Sequence, residues 1–291
     1  MTLFSLLKSF LVGGVVTSSM VILAYKAIKR AADSYAETNK TVEFATRNIT
    51  KRFEAYQTDV EFVVLHLLPL LEQELEAISI APLKAKLKTN PRDNLIWAKL
   101  MINSFAKTMV AIYVSTSLTL FSTVQLGILG RKSYIASFED SSKDGTKDEA
   151  TFLAFSWFLL HTGAKNITDL VKEACAKGLA NKSLLQSVTY DELVKIFDSI
   201  RALVHERHIV DFIMASDGLE LEMLQQSGVQ ETVISAKLQT MIDETRDFVQ
   251  SADFADVLQV SFDAAFQSVF EMIESHYEPH AKLQRGVGRY C

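Results

Sequence analysis

Residues 108–130, TMVAIYVSTSLTLFSTVQLGILG, form a run of 23 residues without a single charge. Such a run is long enough to cross a bilayer. If it does not, it must be a helix wrapped on all sides by the rest of the chain. Ser115, Thr116, Ser117, Thr119, Ser122, Thr123 and Gln125 make it weakly hydrophobic for its length. Insertion into lipid is poorly favoured for so many polar side chains. Hydroxyls can bond back to the preceding turn of their own helix in either setting. The composition therefore favours the central helix of a large bundle over a second membrane span.

The remainder of the chain is consistent with such a bundle. Only 11 Gly and 4 Pro occur in 291 residues, too few for the many tight turns of a sheet protein. Val42, Ala45, Ile49, Phe53, Tyr56, Val60, Val63 and Leu67 recur at spacings of three and four, one apolar stripe along a long helix. Pro69 should kink or break that helix, and the stripe resumes to about Ile80. Pro82 and Pro91 bracket a short link with a brief helix, LKAKLK, and Asn90 is placed to cap the next helix with Pro91 at its first position. That helix is expected over Asn94–Gly130. Residues 137–150, SFEDSSKDGTKDEA, read as an exposed loop. Amphipathic helices are expected over 166–179 and 189–206, the second opened by a Thr189/Glu192 capping box. Asp211–Gly228 is ambiguous. Ile234, Leu238, Met241 and Phe248 mark one further helix, and Phe254, Leu258, Phe262, Phe266, Val269, Ile273 and Tyr277 mark a last one ended by Pro279. The fold class is all-α.

The amino-terminal segment differs in kind. Ser9–Tyr25 is uncharged over 17 residues, about 25 Å as a helix against a hydrocarbon core of about 30 Å. Leu3–Leu7 can extend it if Lys8 snorkels. Lys26, Lys29 and Arg30 follow at once, which places the carboxy-terminal side in the cytosol. A cleaved signal peptide would carry its positive cluster before the apolar run and a small-residue cut site after it; this segment has neither. A buried core helix fits poorly with the terminal position and basic flank. The expected organisation is a membrane anchor and targeting segment at 1–30 and a cytosolic helical bundle at 31–291.

Charge and residue chemistry exclude several function classes. Residues 1–40 carry a net charge of +3, so of the total of −5 the remaining chain carries −8. An acidic body does not suit nucleic acid, whereas a basic start suits a membrane surface. Cys175 and Cys291, the only cysteines, build neither a disulfide framework nor a zinc cluster. His205 and His208, with Asp211 nearby, and His276 and His280 have helical spacing but no third ligand, and Pro279 is expected to take His280 off the helix. Gly286 and Gly288 lack the strand and helix of a nucleotide loop. No nucleophile–base arrangement is present. The expectation is no catalytic residue, no metal, no cofactor and no small-molecule substrate.

The segment NLIWAKLMINSFAKTMVAIYVSTSLTLFSTVQLGILG carries a more specific pattern: Ile96-Trp97, Phe105, Ala111-Ile112-Tyr113, Val124-Gln125-Leu126 and Gly130. With LLPLLEQEL at 67–75 and DETRDFVQSADFADVL at 243–258, it resembles the peroxin-3 family over most of the chain. That resemblance implies an all-helical cytosolic bundle on an N-terminal anchor in the peroxisomal membrane, without catalysis. It further implies a groove that binds an amphipathic helix of peroxin-19 and so receives membrane-protein cargo. Groove positions of the family fall on Trp97, Leu87 and, allowing a two-residue insertion, Ile135; Leu100 lies one turn from Trp97. A basic family position falls near Asn94, a departure. The family's further C-terminal helices have little sequence to match after Pro279. A helical tether or adaptor on another organelle would share the anchor and bundle but not the groove.

Overall fold

The computed structural model describes residues 43–136, 146–182, 187–206, 208–229 and 233–287, with side-chain surroundings over 58–132, 147–182, 187–206, 208–229 and 233–275. The expected anchor at 1–30 lies outside the described residues. Among the described residues all regular structure is helical: α1 Glu43–Glu76, α2 Ala81–Thr89, α3 Asn94–Ala136, α4 Thr146–Leu153, α5 Ala164–Leu179, α6 Tyr190–His205, α7 Glu220–Gln226, α8 Ala236–Val249 and α9 Ala252–Val287. A turn at Ser156–Phe158 and a π-helical segment at Leu159–Gly163 lead into α5, and a 3₁₀ turn at Ile209–Phe212 follows α6.

The uncharged run is the hub. It is long and apolar enough to cross a membrane, but 78 % of its most apolar window is buried inside the protein. α1, α2, α5, α8 and α9 all pack against α3. Met109, Val110, Ala111, Ile112, Tyr113, Val114, Leu118 and Phe121 are each almost fully buried. Some of its hydroxyls bond back within the helix: Thr119 Oγ1 donates to the Ser115 carbonyl at 2.8 Å and Thr123 Oγ1 to that of Thr119 at 2.7 Å, whereas those of Thr116, Ser117 and Ser122 are buried without a partner among the described residues. Gln125 is fully buried and satisfied across elements, its Nε2 donating to the Phe152 carbonyl at 2.7 Å while its Oε1 accepts from Ser156 Oγ at 3.0 Å. These two bonds fix the turn after α4 against the hub.

Two prolines do not act as their sequence suggests. α1 runs unbroken through Pro69, and α9 runs on to Val287, past Pro279. An interior proline removes one ladder bond and crowds the preceding turn, a cost of about 3 kcal/mol. In α1 this is offset by packing on both sides of the proline, where Val60, Val64, Leu68, Leu71 and Leu75 are all buried on the shared core. Val60 of the expected stripe is buried, but beyond it the buried line runs one residue on, through Val64 and Leu68, so Val63 and Leu67 are half-buried at its edge.

Other boundaries also shift. α2 closes with Asn90 as its C-cap, the Asn90 N–H donating to the Lys86 carbonyl at 2.9 Å, so Asn90 does not open the next helix. Asp93 caps α3 instead: its Oδ1 accepts from the N–H groups of Leu95 and Ile96 at 3.0 and 3.1 Å. Of the expected loop at 137–150, residues from Thr146 onward are helix, and 137–145 lie outside the described residues. The Thr189/Glu192 capping box is present in full. The ambiguous stretch becomes the 3₁₀ turn and the seven-residue α7, with Gly218 and Gly228 at φ of 84° and 86°, where a side chain would be strained.

Candidate functional site: the α2–α3 corner

α2 and α3 meet at a corner built by the turn Asn90–Asp93. The Asp93 cap starts α3, and the Trp97 N–H reaches back to the Asp93 carbonyl at 3.1 Å. One turn into the helix, Trp97 folds its indole back over the turn, and Nε1 donates to the Pro91 carbonyl at 2.9 Å. The ring is half-buried, neither core nor free. Asn103 Nδ2 donates to the Ser79 carbonyl at 2.9 Å and ties the same part of α3 to the end of α1.

The other anticipated site residues do not stand equally open. Leu87, on the inner side of α2, is 7 % exposed, and Leu100 is 1 % exposed. Both are buried side chains of the two helices that meet at the corner. Ile135 falls in the last turn of α3, where its side chain is outside the described residues. At 1.5 Å per residue it stands about 57 Å along the helix from Trp97. A straight α3 therefore does not bring Ile135 to the corner. Sequence reasoning passed over Leu95, which at 68 % exposed is the most open large apolar residue among the described side chains of α3.

The electrostatics are one-sided. Between Ala77 and Lys107 the chain carries Lys84, Lys86, Lys88, Arg92, Lys99 and Lys107 against the single acid Asp93, and Asp93 is engaged as a cap. Lys86, Lys88, Arg92 and Lys99 are exposed. The corner is thus an apolar patch with a rigid indole inside a basic rim, on a protein of net charge −5. Among the described residues no three His, Cys, Asp or Glu side chains group as a metal site.

The sequence profile of the Peroxin-3 family matches residues 82–151 and 138–286. The chain belongs to the peroxin-3 family. The matched region holds the whole corner from Pro82 onward and the hub helix. Its relatives include peroxisomal biogenesis factor 3 of Bos taurus, 29 % identical over 254 residues and covering 80 % of this chain and 68 % of the relative. The Homo sapiens protein of that name is 28 % identical over 253 residues, with the same coverage. That of Debaryomyces hansenii is 23 % identical over 347 residues, covering 96 % of this chain and 82 % of its own. The all-α fold expected of a peroxin-3 is the fold described above.

Proposed function

We propose that this chain is a peroxisome-biogenesis factor that docks the import receptor peroxin-19 at the α2–α3 corner and so supports insertion of peroxisomal membrane proteins. In this reading residues 1–30 anchor it in the peroxisomal membrane lipid, and residues 31–291 face the cytosol. It acts by binding and not by catalysis.

The observation that carries the reading is the state of Trp97. Helix-in-groove recognition needs a large aromatic anchor that is already oriented, set in apolar surroundings and reachable from outside. The bond from Nε1 to Pro91 orients the indole before any partner arrives, which lowers the entropic cost of binding. Leu100 and Leu87 are buried apolar residues of the same two helices, and Leu95 adds exposed apolar surface on the same turn as Trp97. The basic rim favours a helix whose apolar face is bordered by acidic residues and speeds its approach.

The test is fluorescence anisotropy of a labelled peroxin-19 amino-terminal peptide against the full chain in neutral nanodiscs. Saturable binding that weakens by at least about tenfold in Trp97→Ala is expected. Absence of binding by the unaltered chain would overturn the reading.

A further inference from the structure

We propose that the outer face of α9 is a second docking surface, separate from the corner, and that it takes a cationic amphipathic helix of a partner protein.

α9 is amphipathic twice over. Its inner side is core: Phe254, Leu258, Phe262, Ala265, Phe266, Val269, Phe270 and Ile273 are buried. Its outer side should be polar throughout, yet Val257 is 50 % and Val260 57 % exposed. At 100° per residue, Val257, Val260 and the half-buried Ala264 form one short apolar strip. Asp253 and Glu271 lie at its two ends, and Asp256, Asp263, Gln267 and Glu274 make a line along one side. Phe248, 50 % exposed, stands at the adjoining end of α8.

The charge decides what can cover the strip. From Asp247 to Glu274 the chain holds six carboxylates and no Lys or Arg. Asp263 pairs with Arg201 of α6. Asp253, Asp256, Glu271 and Glu274 remain exposed, and none of them forms a salt bridge among the described residues. The local field also reaches α6, where burial and then the carboxylates of Glu274, Asp191 and Glu271 raise the Tyr190 phenol above its ordinary range. A second copy would set this acidic face against itself, and an anionic lipid surface would repel it. A helix with its own apolar strip beside a line of Lys or Arg complements both features at once.

The face points away from the hub and from the corner. Phe262 packs on Tyr113 of α3, 16 residues beyond Trp97, or about 24 Å along the helix. Occupants of the two surfaces therefore need not compete, and their charge preferences are opposite.

The experiment uses the full chain in cells, replacing the endogenous copy, with the photo-crosslinking residue benzoylphenylalanine at Val257 or Val260. Adducts are mapped to the peptide by mass spectrometry. The expected adduct is a segment of another protein with apolar residues at helical spacing and at least about three Lys or Arg beside them. Its yield should fall about tenfold with Asp256→Lys and Glu274→Lys together, fall less with Asp256→Asn and Glu274→Gln, and stay unchanged with Trp97→Ala. Melting of the charge variants, followed by circular dichroism, should match the parent. An adduct to this chain, to a second copy or to lipid, no adduct at all, or a yield indifferent to both pairs of charge variants would overturn the proposal.

Discussion

Tyr113 of α3 meets Phe262 of α9 edge to face, with ring centroids 4.8 Å apart and planes at 85°. The same ring touches Phe266 at 5.4 Å. The pair joins the hub to α9, and its energetics are lopsided: the ring is fully buried, while the hydroxyl has the Arg201 guanidinium near it but no well-formed hydrogen bond among the described residues. Tyr113→Phe should therefore change the melting temperature little, because it removes a buried polar atom that gains little. Tyr113→Ala should cost about 3–5 kcal/mol. Thermal melts of the two variants separate ring from hydroxyl.

Arg201 is a second link between helices. Its guanidinium lies 4.4 Å from the Phe266 ring centroid and pairs with Asp198 on its own helix and Asp263 on α9. Arg201→Ala should cost about 2 kcal/mol, chiefly through the lost stacking and packing of its largely buried side chain, because Asp263 is exposed and keeps Gln259 Nε2 as a donor. Arg201→Lys should recover only part of that in chemical denaturation, since an ammonium cannot stack flat on a ring while bonding two carboxylates.

Two glycines should respond in opposite directions to the same substitution. A Cβ on Gly163 would sit 2.1 Å from the Phe212 carbonyl oxygen, whereas one on Gly127 meets nothing within 4 Å. Gly163→Ala must push the 3₁₀ turn away from the π-helical segment and should cost more than about 2 kcal/mol. Gly127→Ala, inside α3, should gain about 0.5–1 kcal/mol. Denaturation midpoints would check both.

Cys175 is buried, with Sγ 4.0 Å from Met109 Sδ, and burial pushes its pKa up from 9.0 to about 12. The folded chain keeps this proton where the unfolded chain loses it. Its contribution to stability is full below pH 9.0 and declines as pH rises from there towards about 12. Cys175→Ala should show a shallower alkaline loss of stability than the parent. At pH 8 the peptide bearing Cys175 should resist iodoacetamide in the native chain and react in denaturant.

Trp97 tests the corner with two readouts. Trp97→Ala should weaken peroxin-19 peptide binding at least about tenfold while costing only about 1–2 kcal/mol of stability, less than a fully buried ring would. Trp97→Phe keeps the apolar body but loses the bond to Pro91, so it should bind with an intermediate affinity. Replacing Leu100 or Leu87 by a polar residue should lower the melting temperature, because both are buried. Comparing melts with anisotropy for each variant separates anchor from core.

The helical pattern was legible because burial follows apolar spacing: the hub, the α6 capping box and the inner face of α9 all lie where periodicity puts them. What local pattern misses is compensation from afar. Pro69 and Pro279 look like terminators, yet packing keeps α1 whole through the first and the second lies inside α9. Asn90 and Asp93 are both good caps, and which one opens α3 depends on where α2 ends. At the corner, Trp97 could be singled out through its motif, but the exposure of Leu95 and the burial of Leu100 depend on the rotation of α3 against α1 and α2. The opposed charges of the corner and of α9 were already present in the sequence, as a basic stretch with Asp93 its one acid and an acidic stretch without Lys or Arg.

Because α3 is the common wall for α1, α2, α5, α8 and α9, the order of synthesis shapes how this protein assembles. Once residue 136 has left the ribosome, α1 can close against α3, and the corner of α2, Pro91 and Trp97 has all of its parts. α9, whose Phe262 and Phe266 cover Tyr113, is made after all the other described helices. The nascent chain thus carries a complete corner beside an uncovered hub, with the apolar flank of α3 open until more than a hundred further residues arrive. Chaperone crosslinks to stalled chains should accordingly concentrate on the Tyr113 side of α3 and vanish when α9 is released.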